Sequence, residues 1–441
     1  QRGDYDDWAG RGNQGWAYED VLPYFRRMER FLGPGDDCLR GRDGPLPVTV
    51  TDLQHPLCEA FMSGARSLGM PANDDYNGIT QDGVGYIQRT VYRGQRHSAA
   101  RVYLKPALRR RRVSLRHNST VTEILFNGTR ATGVRYCHGR GGRLETIEAR
   151  HEVILCAGTI NSAKILQLAG IGPAALLCGL EIPVRRDLPV GENFRDHYGV
   201  RMVARVKGIR TLNEDVHGMR FVGQMVRWLT GRPSVLGVGP ALVHWYWRSE
   251  PGLNEPDFQG VFTPGSSREG VMGLLDKSPG MTLGINQHRP KSVGWVRARS
   301  RDAFADPEIQ PNYLDDPHDQ RVLVSGLKVG RQILQTPELA PYIEHETIPG
   351  PSVTTDDEWL DFARRSGNTN YHLVGTCRMG PASDPTTVVD SSLRVHGFDG
   401  LRVVDASVMP TMVSANTYAA TLMIAEKASD IILGRPPLYT C

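Results

Sequence analysis

Apolar residues recur at helical spacing in several stretches of the chain. In the stretch 17–32, Val21, Phe25, Met28 and Leu32 fall on one face of a helix. Similar spacing predicts further helices at 57–68, 102–108, 159–169 and 317–334. These patterns indicate helices that pack one face against a core and leave the other to solvent.

Short apolar or alternating runs, separated by glycine-containing turns, predict strands. We place them at 85–92, 113–115, 121–126, 133–136, 144–149, 153–155, 295–299 and 401–404. The run 153–155 is continuously apolar and leads through Gly158 into the predicted helix 159–169. A buried strand, a glycine and a helix form the repeating unit of doubly wound proteins. We therefore expect an α/β fold.

Composition sets broad limits on this expectation. A chain of 441 residues is long enough for two or more domains, and its 40% hydrophobic and 23% charged content is ordinary for a globular protein. The net charge is +4, with a local excess at Arg109–Arg112. That run is either a phosphate or nucleic-acid patch or a solvated turn, and we favour the turn. No zinc-ligand spacing and no basic helix with interleaved aromatics indicates nucleic acid.

The cysteines give an indication of the compartment. Seven are scattered along the chain, and none forms a C-x-x-C pair. A disulfide framework is not expected in so long a chain, so we predict a reducing, cytoplasmic setting. Cys156 and Cys377 lie in apolar runs and are expected to be buried. No apolar stretch approaches the ~20 residues of a transmembrane helix.

Candidate chemistry lies near the C-terminal end. His372 stands between Tyr371 and two aliphatic residues, and Asn416 opens a predicted helix. The strand 401–404 runs into Asp405, a layout typical of nucleotide-binding proteins. An imidazole and a neutral amide beside a nucleotide suit proton abstraction from an alcohol. The alternatives are structural: a hydrogen-bonded core histidine, a helix N-cap asparagine and an Asx turn at the aspartate.

Four runs in this region resemble a known family. They are Tyr371–Gly380, Val388–Gly397, Leu401–Ser407 and Asn416–Asp430. In this order and spacing they are similar to the C-terminal signatures of the glucose-methanol-choline (GMC) flavin oxidoreductases, above all the choline and alcohol dehydrogenase branch. The resemblance implies an FAD-binding doubly wound domain interleaved with a substrate domain built on a mainly antiparallel sheet.

The resemblance also implies roles for individual residues. His372 would be the catalytic base and Asn416 its partner. The residues implied to bind FAD are Val121, Asp405, Ala406, Asn416 and Thr417. No metal is implied. Tyr418 and Ala420 stand where the family commonly has Asn and Pro.

The N-terminal part departs from the family in one respect. The family's G-x-G-x-x-G fingerprint, which follows a first strand, is not found, so we expect a chain truncated before its first βαβ unit. Residues 170–175 fit G-x-G-x-x-A as a string, but they follow a helix and contain Pro173, so we interpret them as a helix end and turn. We expect an FAD-binding portion at 1–200, with 17–84 partly on the substrate side. We expect the substrate domain mainly at 201–365, and a return to the FAD domain at 366–441.

Two further features have open interpretations. His197 ends a run, 190–197, that resembles the family's V-G-x-N-x-x-D-H. It has a functional look, although a hydrogen-bonded structural histidine is the commoner case. Trp245-Tyr246-Trp247 could wall a pocket or bind a cation by its ring faces, and core packing is the alternative.

The resulting hypothesis is an FAD-dependent oxidoreductase that converts a primary or secondary alcohol to the carbonyl. His372 would take the hydroxyl proton, and the hydride would pass to flavin N5. The alternatives are a lyase on the same fold, as in flavin-dependent hydroxynitrile lyases, and an inactive fragment. The sequence identifies neither the alcohol nor the electron acceptor, which could be oxygen, a quinone or a carrier. It leaves the oligomeric state open.

Overall fold

The computed structural model describes residues 1–239, 241–266 and 275–439. Short π and 3-10 turns lie at Ala100–Leu104, Val235–Gly237 and Ala406–Val408. The α-helices are α1 Arg2–Gly10, α2 Tyr18–Met28, α3 Pro56–Ser67, α4 Lys105–Arg109, α5 Gly158–Leu168, α6 Ala174–Gly179, α7 Leu212–Asp215, α8 Gly218–Leu229, α9 Pro317–Leu334, α10 Asp356–Ser366 and α11 Thr417–Ile432.

The strands form several separate sheets. They are β1 Glu29–Phe31, β2 Leu46–Val50, β3 Gly83–Tyr86, β4 Gln88–Arg89, β5 Val91–Tyr92, β6 Gln95–Arg96, β7 Ser119–Asn127, β8 Arg130–His138, β9 Leu144–Glu148, β10 Val153–Leu155, β11 Ile171–Gly172, β12 Arg186–Asp187, β13 Tyr198–Val206, β14 Val243–Trp247, β15 Phe258–Thr263, β16 Gly280–Gln287, β17 Trp295–Arg297, β18 Glu308–Gln310, β19 Ile343–Ile348, β20 Asn368–Thr369 and β21 Leu401–Val403.

The largest sheet has seven strands in the order β19-β13-β16-β15-β14-β3, with β20 paired to the start of β13. The pairings within it are antiparallel. One buried cluster joins this sheet to α3, α9 and α10 and includes Phe61, Trp245, Phe258, Leu327 and Trp359. A mainly antiparallel sheet of this kind is the architecture that the sequence led us to expect for a substrate domain.

A second buried cluster surrounds the parallel pair of β10 and β21, in which Val153 lies opposite Leu401 and Leu155 opposite Val403. Helix α5 follows β10 directly, and α11 contributes Met423 to the same cluster. Because the two strands are parallel, their carboxyl ends meet at one edge, where ligands of α/β proteins bind. The α/β prediction is confirmed.

Several predicted elements differ from the structure. The helix predicted at 17–32 ends at Met28, since the chain then enters β1, which pairs in parallel with β2. The strand predicted at 85–92 is divided among β3, β4 and β5. The described stretch 113–115 contains no strand. Cys377 is buried as expected, but Cys156 is exposed because it leaves β10 at its open carboxyl end.

Residues 170–175 begin as expected with a glycine in the left-handed region, Gly170 at φ +81°, and continue into β11 and α6 rather than a plain turn. Arg109 is the last residue of α4, and Arg110–Arg112 follow it on an exposed turn, the interpretation favoured from the sequence. Among the described residues, we find no helix with both the length and the apolar character needed to cross a membrane.

Candidate active site

The loop that carries His372 is held by one carboxylate. Oδ1 of Asp196, which lies just before β13, accepts a hydrogen bond from the His372 main-chain N–H at 2.9 Å. Its Oδ2 accepts from the Tyr313 hydroxyl at 2.5 Å and from the Thr369 hydroxyl. Tyr371, the residue directly before His372, adopts a left-handed φ of +58°. The backbone of His372 is therefore fixed before its ring makes any contact.

Both ring nitrogens of His372 contact polar side chains. Nδ1 lies 3.0 Å from Nδ1 of His197, and Nε2 lies 2.9 Å from Nδ2 of Asn416. The two imidazole rings are perpendicular, with centroids 5.2 Å apart. The sequence pair His372 and Asn416 is thus brought together, although 44 residues separate the two along the chain.

Asn416 occupies the N-cap position of α11, as its residue type favours. Its side chain does not cap the helix, which is described throughout from Thr417 to Ile432; the amide turns instead to His372. Asn416 is exposed, and so is the neighbouring Tyr418. The imidazole–amide pair therefore lies at an open helix N-terminus, where the backbone dipole favours negative charge.

Burial sets the electrostatics of the site. It lowers the pKa of His372 to about 3, with a further contribution from His197. It lowers the pKa of His197 to about 4 and that of His244 to about 4, the latter with a contribution from His372. The pKa of the Asp196 carboxyl is raised by burial, which its hydrogen bonds partly offset. At neutral pH these imidazoles are uncharged, so the site offers neutral lone pairs.

Aromatic rings surround His244. Its Nδ1 lies 3.0 Å from the hydroxyl of Tyr246, and the Tyr76 ring centroid lies 5.3 Å from its own. Trp245, in contrast, is fully buried and packs on Phe258. The predicted alternatives for 245–247 therefore divide. Trp245 is a core residue, while Tyr246 belongs to the polar group next to the site.

The carboxyl ends of β10 and β21 have the features of a nucleotide site. Asp405, after β21, accepts from the Gly158 N–H at 2.9 Å and from the Ser162 hydroxyl at 2.5 Å, both in α5. Helix α5 begins after Ala157, whose methyl cannot cap it, and Gly158 has a left-handed φ of +79°. Ala157 and Cys156 are exposed. Two helix N-termini and an uncovered strand edge fit the phosphates and the apolar ring of a dinucleotide such as FAD.

Of the other residues predicted to bind the cofactor, Ala406 and Thr417 lie near the His372–Asn416 pair, and Val121 lies in a different sheet. The Ala406 carbonyl accepts from the N–H of Gly375 at 3.3 Å, which ties it to the loop after His372. Thr417 is the first residue of α11, directly after Asn416. Val121 lies in β7 of a separate three-stranded sheet, opposite Tyr136. Asp405 and Ala406 therefore adjoin the histidine loop and Thr417 the amide, whereas Val121 belongs to another element.

The fold and the site define an FAD-binding α/β oxidoreductase, and comparison with known proteins identifies its family. Profiles of the GMC oxidoreductase family match residues 1–199 and 290–425. Choline dehydrogenase, mitochondrial, of Homo sapiens is 39% identical over 437 residues, covering 99% of this chain and 73% of the relative. Oxygen-dependent choline dehydrogenase of Sinorhizobium fredii is 40% identical over 441 residues, covering 99% and 78%.

Solved structures agree in fold. Pyridoxine 4-oxidase from Mesorbium loti superposes with a TM-score of 0.86 at 27% identity, over 99% of this chain and 81% of that one. An FAD-dependent oxidoreductase from Chaetomium thermophilum gives 0.89 at 26%, over 98% and 83%. The chain belongs to the GMC oxidoreductase family. Within it the chain falls in the choline and alcohol dehydrogenase-like branch; FAD is the cofactor, and alcohol-like compounds are the substrates.

The sequence left His197 open between a functional and a structural histidine, and the structure places its ring against that of His372. Two other partners of the site, Asp196 and His244, were not predicted. Asp196, the neighbour of His197 in the V-G-x-N-x-x-D-H run, anchors the histidine loop. The adjacent acidic and imidazole groups in a family signature were the available signal. The sequence gave no such signal for His244, because a histidine within an aromatic strand is typical of a core position.

Proposed function

We propose that the protein oxidises a primary or secondary alcohol to its carbonyl, with His372 as the base that accepts the hydroxyl proton. The contact between His372 Nε2 and Asn416 Nδ2, 2.9 Å apart at the open end of α11, carries this proposal. It directs a basic nitrogen and an N–H donor to one place, which is the arrangement an ionising hydroxyl group needs.

His372 and Asn416 have different roles in the proposed reaction because only the imidazole is basic. His372 is neutral at working pH because burial lowers its pKa to about 3, so one of its ring nitrogens has a lone pair that can accept a proton, and in this proposal that nitrogen is Nε2. As the hydroxyl O–H breaks, that nitrogen takes the proton, and an N–H of Asn416 stabilises the negative charge on oxygen. The amide cannot compete for the proton, since it is not basic. A bound FAD would supply the acceptor, flavin N5, for the hydride that leaves the alcohol carbon.

Supporting groups keep this geometry in place. Asp196 fixes the main chain of His372, and α11 presents Asn416. We also propose that Val121, Asp405, Ala406, Asn416 and Thr417 hold FAD. The division of the chain at 1–200, 201–365 and 366–441 is part of the same proposal. Two buried clusters, one around β10 and β21 and one on the seven-stranded sheet, support it.

Choline is the first substrate to test. Two relatives of 39% and 40% identity carry choline dehydrogenase in their names. The tyrosines around His244 are of the kind whose ring faces attract a quaternary ammonium group.

The electron acceptor is identified by measuring turnover with oxygen alone and with an added artificial acceptor. Oxygen consumption with substrate alone marks an oxidase, and turnover only with the artificial acceptor marks a dehydrogenase.

The decisive experiment is anaerobic reduction of the FAD-loaded protein by choline and by simple alcohols, followed through the flavin absorbance. We expect His372→Ala and His372→Gln to lower the reduction rate at least about 10²-fold, as loss of a general base does. The matched control is His345→Ala, which removes an exposed imidazole on β19 and should leave the rate unchanged. Reduction of the His372 variants at the wild-type rate would refute the base assignment.

A further inference from the structure

The hydrogen bonds through the active-site histidines run in one direction. His197 Nε2 lies 2.6 Å from the main-chain carbonyl oxygen of His288. A carbonyl only accepts, so Nε2 of His197 carries the hydrogen and its Nδ1 holds a lone pair. The 3.0 Å contact between the two Nδ1 atoms then requires that His372 donate. This assignment from the network leaves Nε2 of His372 as the acceptor that faces Asn416.

We propose that His197 is a positioning residue for the reaction, which holds His372 in the tautomer whose Nε2 can accept a proton. The inference rests on the proposed function, in which His372 is the base. In the other neutral tautomer Nε2 would carry hydrogen and Nδ1 the lone pair. The lone pair would then point inward to His197, away from Asn416, and the base would be unusable.

The surroundings of His197 suit this role. Its ring is fully buried and lies perpendicular to that of His372, so the Nδ1 lone pair is aimed rather than free to rotate. Asp196, the preceding residue, holds the main-chain N–H of His372. Consecutive residues therefore fix the backbone and the ring of the same histidine. The His372 ring therefore has a neutral imidazole, His197, as its partner, while the carboxylate of Asp196 contacts the His372 main chain.

The tautomer is directly measurable by ¹⁵N NMR of the FAD-loaded protein labelled at histidine. The His372 signals are assigned by their loss in His372→Gln. In the wild type we expect a pyrrole-like Nδ1 and a pyridine-like Nε2 for His372. The opposite pattern would overturn the inference without any variant, and this readout does not depend on turnover.

Two substitutions of His197 test the cause. His197→Asn keeps an oxygen that accepts from Nδ1–H near the position of the imidazole Nδ1, so we expect the tautomer to persist and flavin reduction to stay within about tenfold of wild type. His197→Phe keeps a ring but removes the acceptor. We expect mixed tautomers and a reduction rate lowered about 10²-fold. A His197→Phe protein with the wild-type tautomer or the wild-type rate would overturn the inference.

The outcomes separate this inference from the proposed function. If His372→Gln reduces flavin normally, the proposed function fails whatever the tautomer is. If His372 variants are inactive but the wild type shows hydrogen on Nε2, the proposed function stands and the role of His197 is rejected. If His197→Phe does not fold, the wild-type tautomer and the His197→Asn rate still decide the matter.

Discussion

The amide of Asn416 donates to His372 rather than accepting from its own helix, although it occupies the N-cap position of α11. An N-cap asparagine ordinarily stabilises its helix by about 1 kcal/mol through its side-chain oxygen. Here the side chain is committed to the imidazole across 2.9 Å. Residue 416 thus forgoes a local helix cap for a contact with the proposed base, an exchange of stability for function of the kind found at active sites.

This arrangement predicts an unusual result for Asn416→Ala. Since the side chain does not cap α11, its removal should change the free energy of unfolding by less than about 0.5 kcal/mol, below the cost of losing a cap. Flavin reduction should slow about 10-fold or more, with FAD still bound. Urea unfolding and anaerobic flavin reduction measure the two effects. A large stability loss with an unchanged rate would contradict the assignment.

Asn416→Asp should separate stability from activity further. A carboxylate at the helix N-terminus can cap α11 and favour its dipole, so the free energy of unfolding should stay equal or rise by up to about 1 kcal/mol. The same carboxylate has no N–H to give the substrate oxygen, and its charge raises the pKa of His372. We expect flavin reduction to fall below that of Asn416→Ala. A faster rate than that variant would refute the donor role.

Asp196 is expected to act on His372 through the backbone. In Asp196→Asn the carbonyl oxygen can still accept from the His372 N–H, but the amide meets the hydroxyls of Tyr313 and Thr369 with donors instead of an acceptor. Loss of a charged acceptor in a buried network should cost roughly 1–3 kcal/mol of unfolding free energy. Tyr313→Phe, which removes one donor and leaves the carboxylate, is the matched control and should cost less.

The left-handed backbone at Tyr371 gives a second test of the loop that carries His372. The residue is 67% exposed, so little packing is lost when its side chain is replaced. With φ at +58°, glycine fits without strain, whereas a β-branched residue is disfavoured by about 1–3 kcal/mol. We expect Tyr371→Gly to keep wild-type flavin reduction and Tyr371→Val to lose both stability and rate. Equal behaviour of the two variants would show that the backbone conformation is not required.

Local patterns predicted the elements whose signals lie within a few residues. Helix α9 has the predicted bounds because Asp316 caps it, accepting from the His318 N–H at 2.8 Å, and Pro317 opens it. Gly375, part of the family signature, has a physical reason as well. Its φ is +94°, and an added Cβ would lie 2.3 Å from the carbonyl oxygen of Asn193.

Distant pairings could not be predicted in this way. Helix α2 ends four residues early because β1 pairs with β2, a tertiary contact that overrides the helical pattern. His197 and His372 are 175 residues apart, and their contact depends on how the loop after α10 meets the start of β13. The sequence therefore indicated the proposed base and its amide, while the contact on which the proposed tautomer rests required the structure.

The buried imidazoles also predict how stability depends on pH. Burial lowers the pKa of His372 to about 3 and those of His197 and His244 to about 4, from an ordinary value of 6.5, and it holds the pKa of His288 well below that value. As the pH falls below 6.5 the unfolded chain takes up these protons while the folded protein does not. Stability that is fully present above pH 6.5 is therefore lost as the pH falls toward 4.

Each such histidine should remove roughly 1.4 kcal/mol of unfolding free energy per pH unit in that window, so the four together should remove roughly 5 kcal/mol per unit. Urea unfolding of the FAD-loaded protein at pH 7, 6 and 5 measures this slope. The carboxylates of Asp276 and Asp384 have lowered pKa values, so the stability they contribute is lost at a lower pH. In His197→Asn the slope should decrease by the contribution of one histidine, roughly 1.4 kcal/mol per pH unit, since the substituted side chain does not titrate. Constant stability between pH 7 and 5 would mean that these imidazoles are accessible to protons in the folded protein, and the neutral site described above would be wrong.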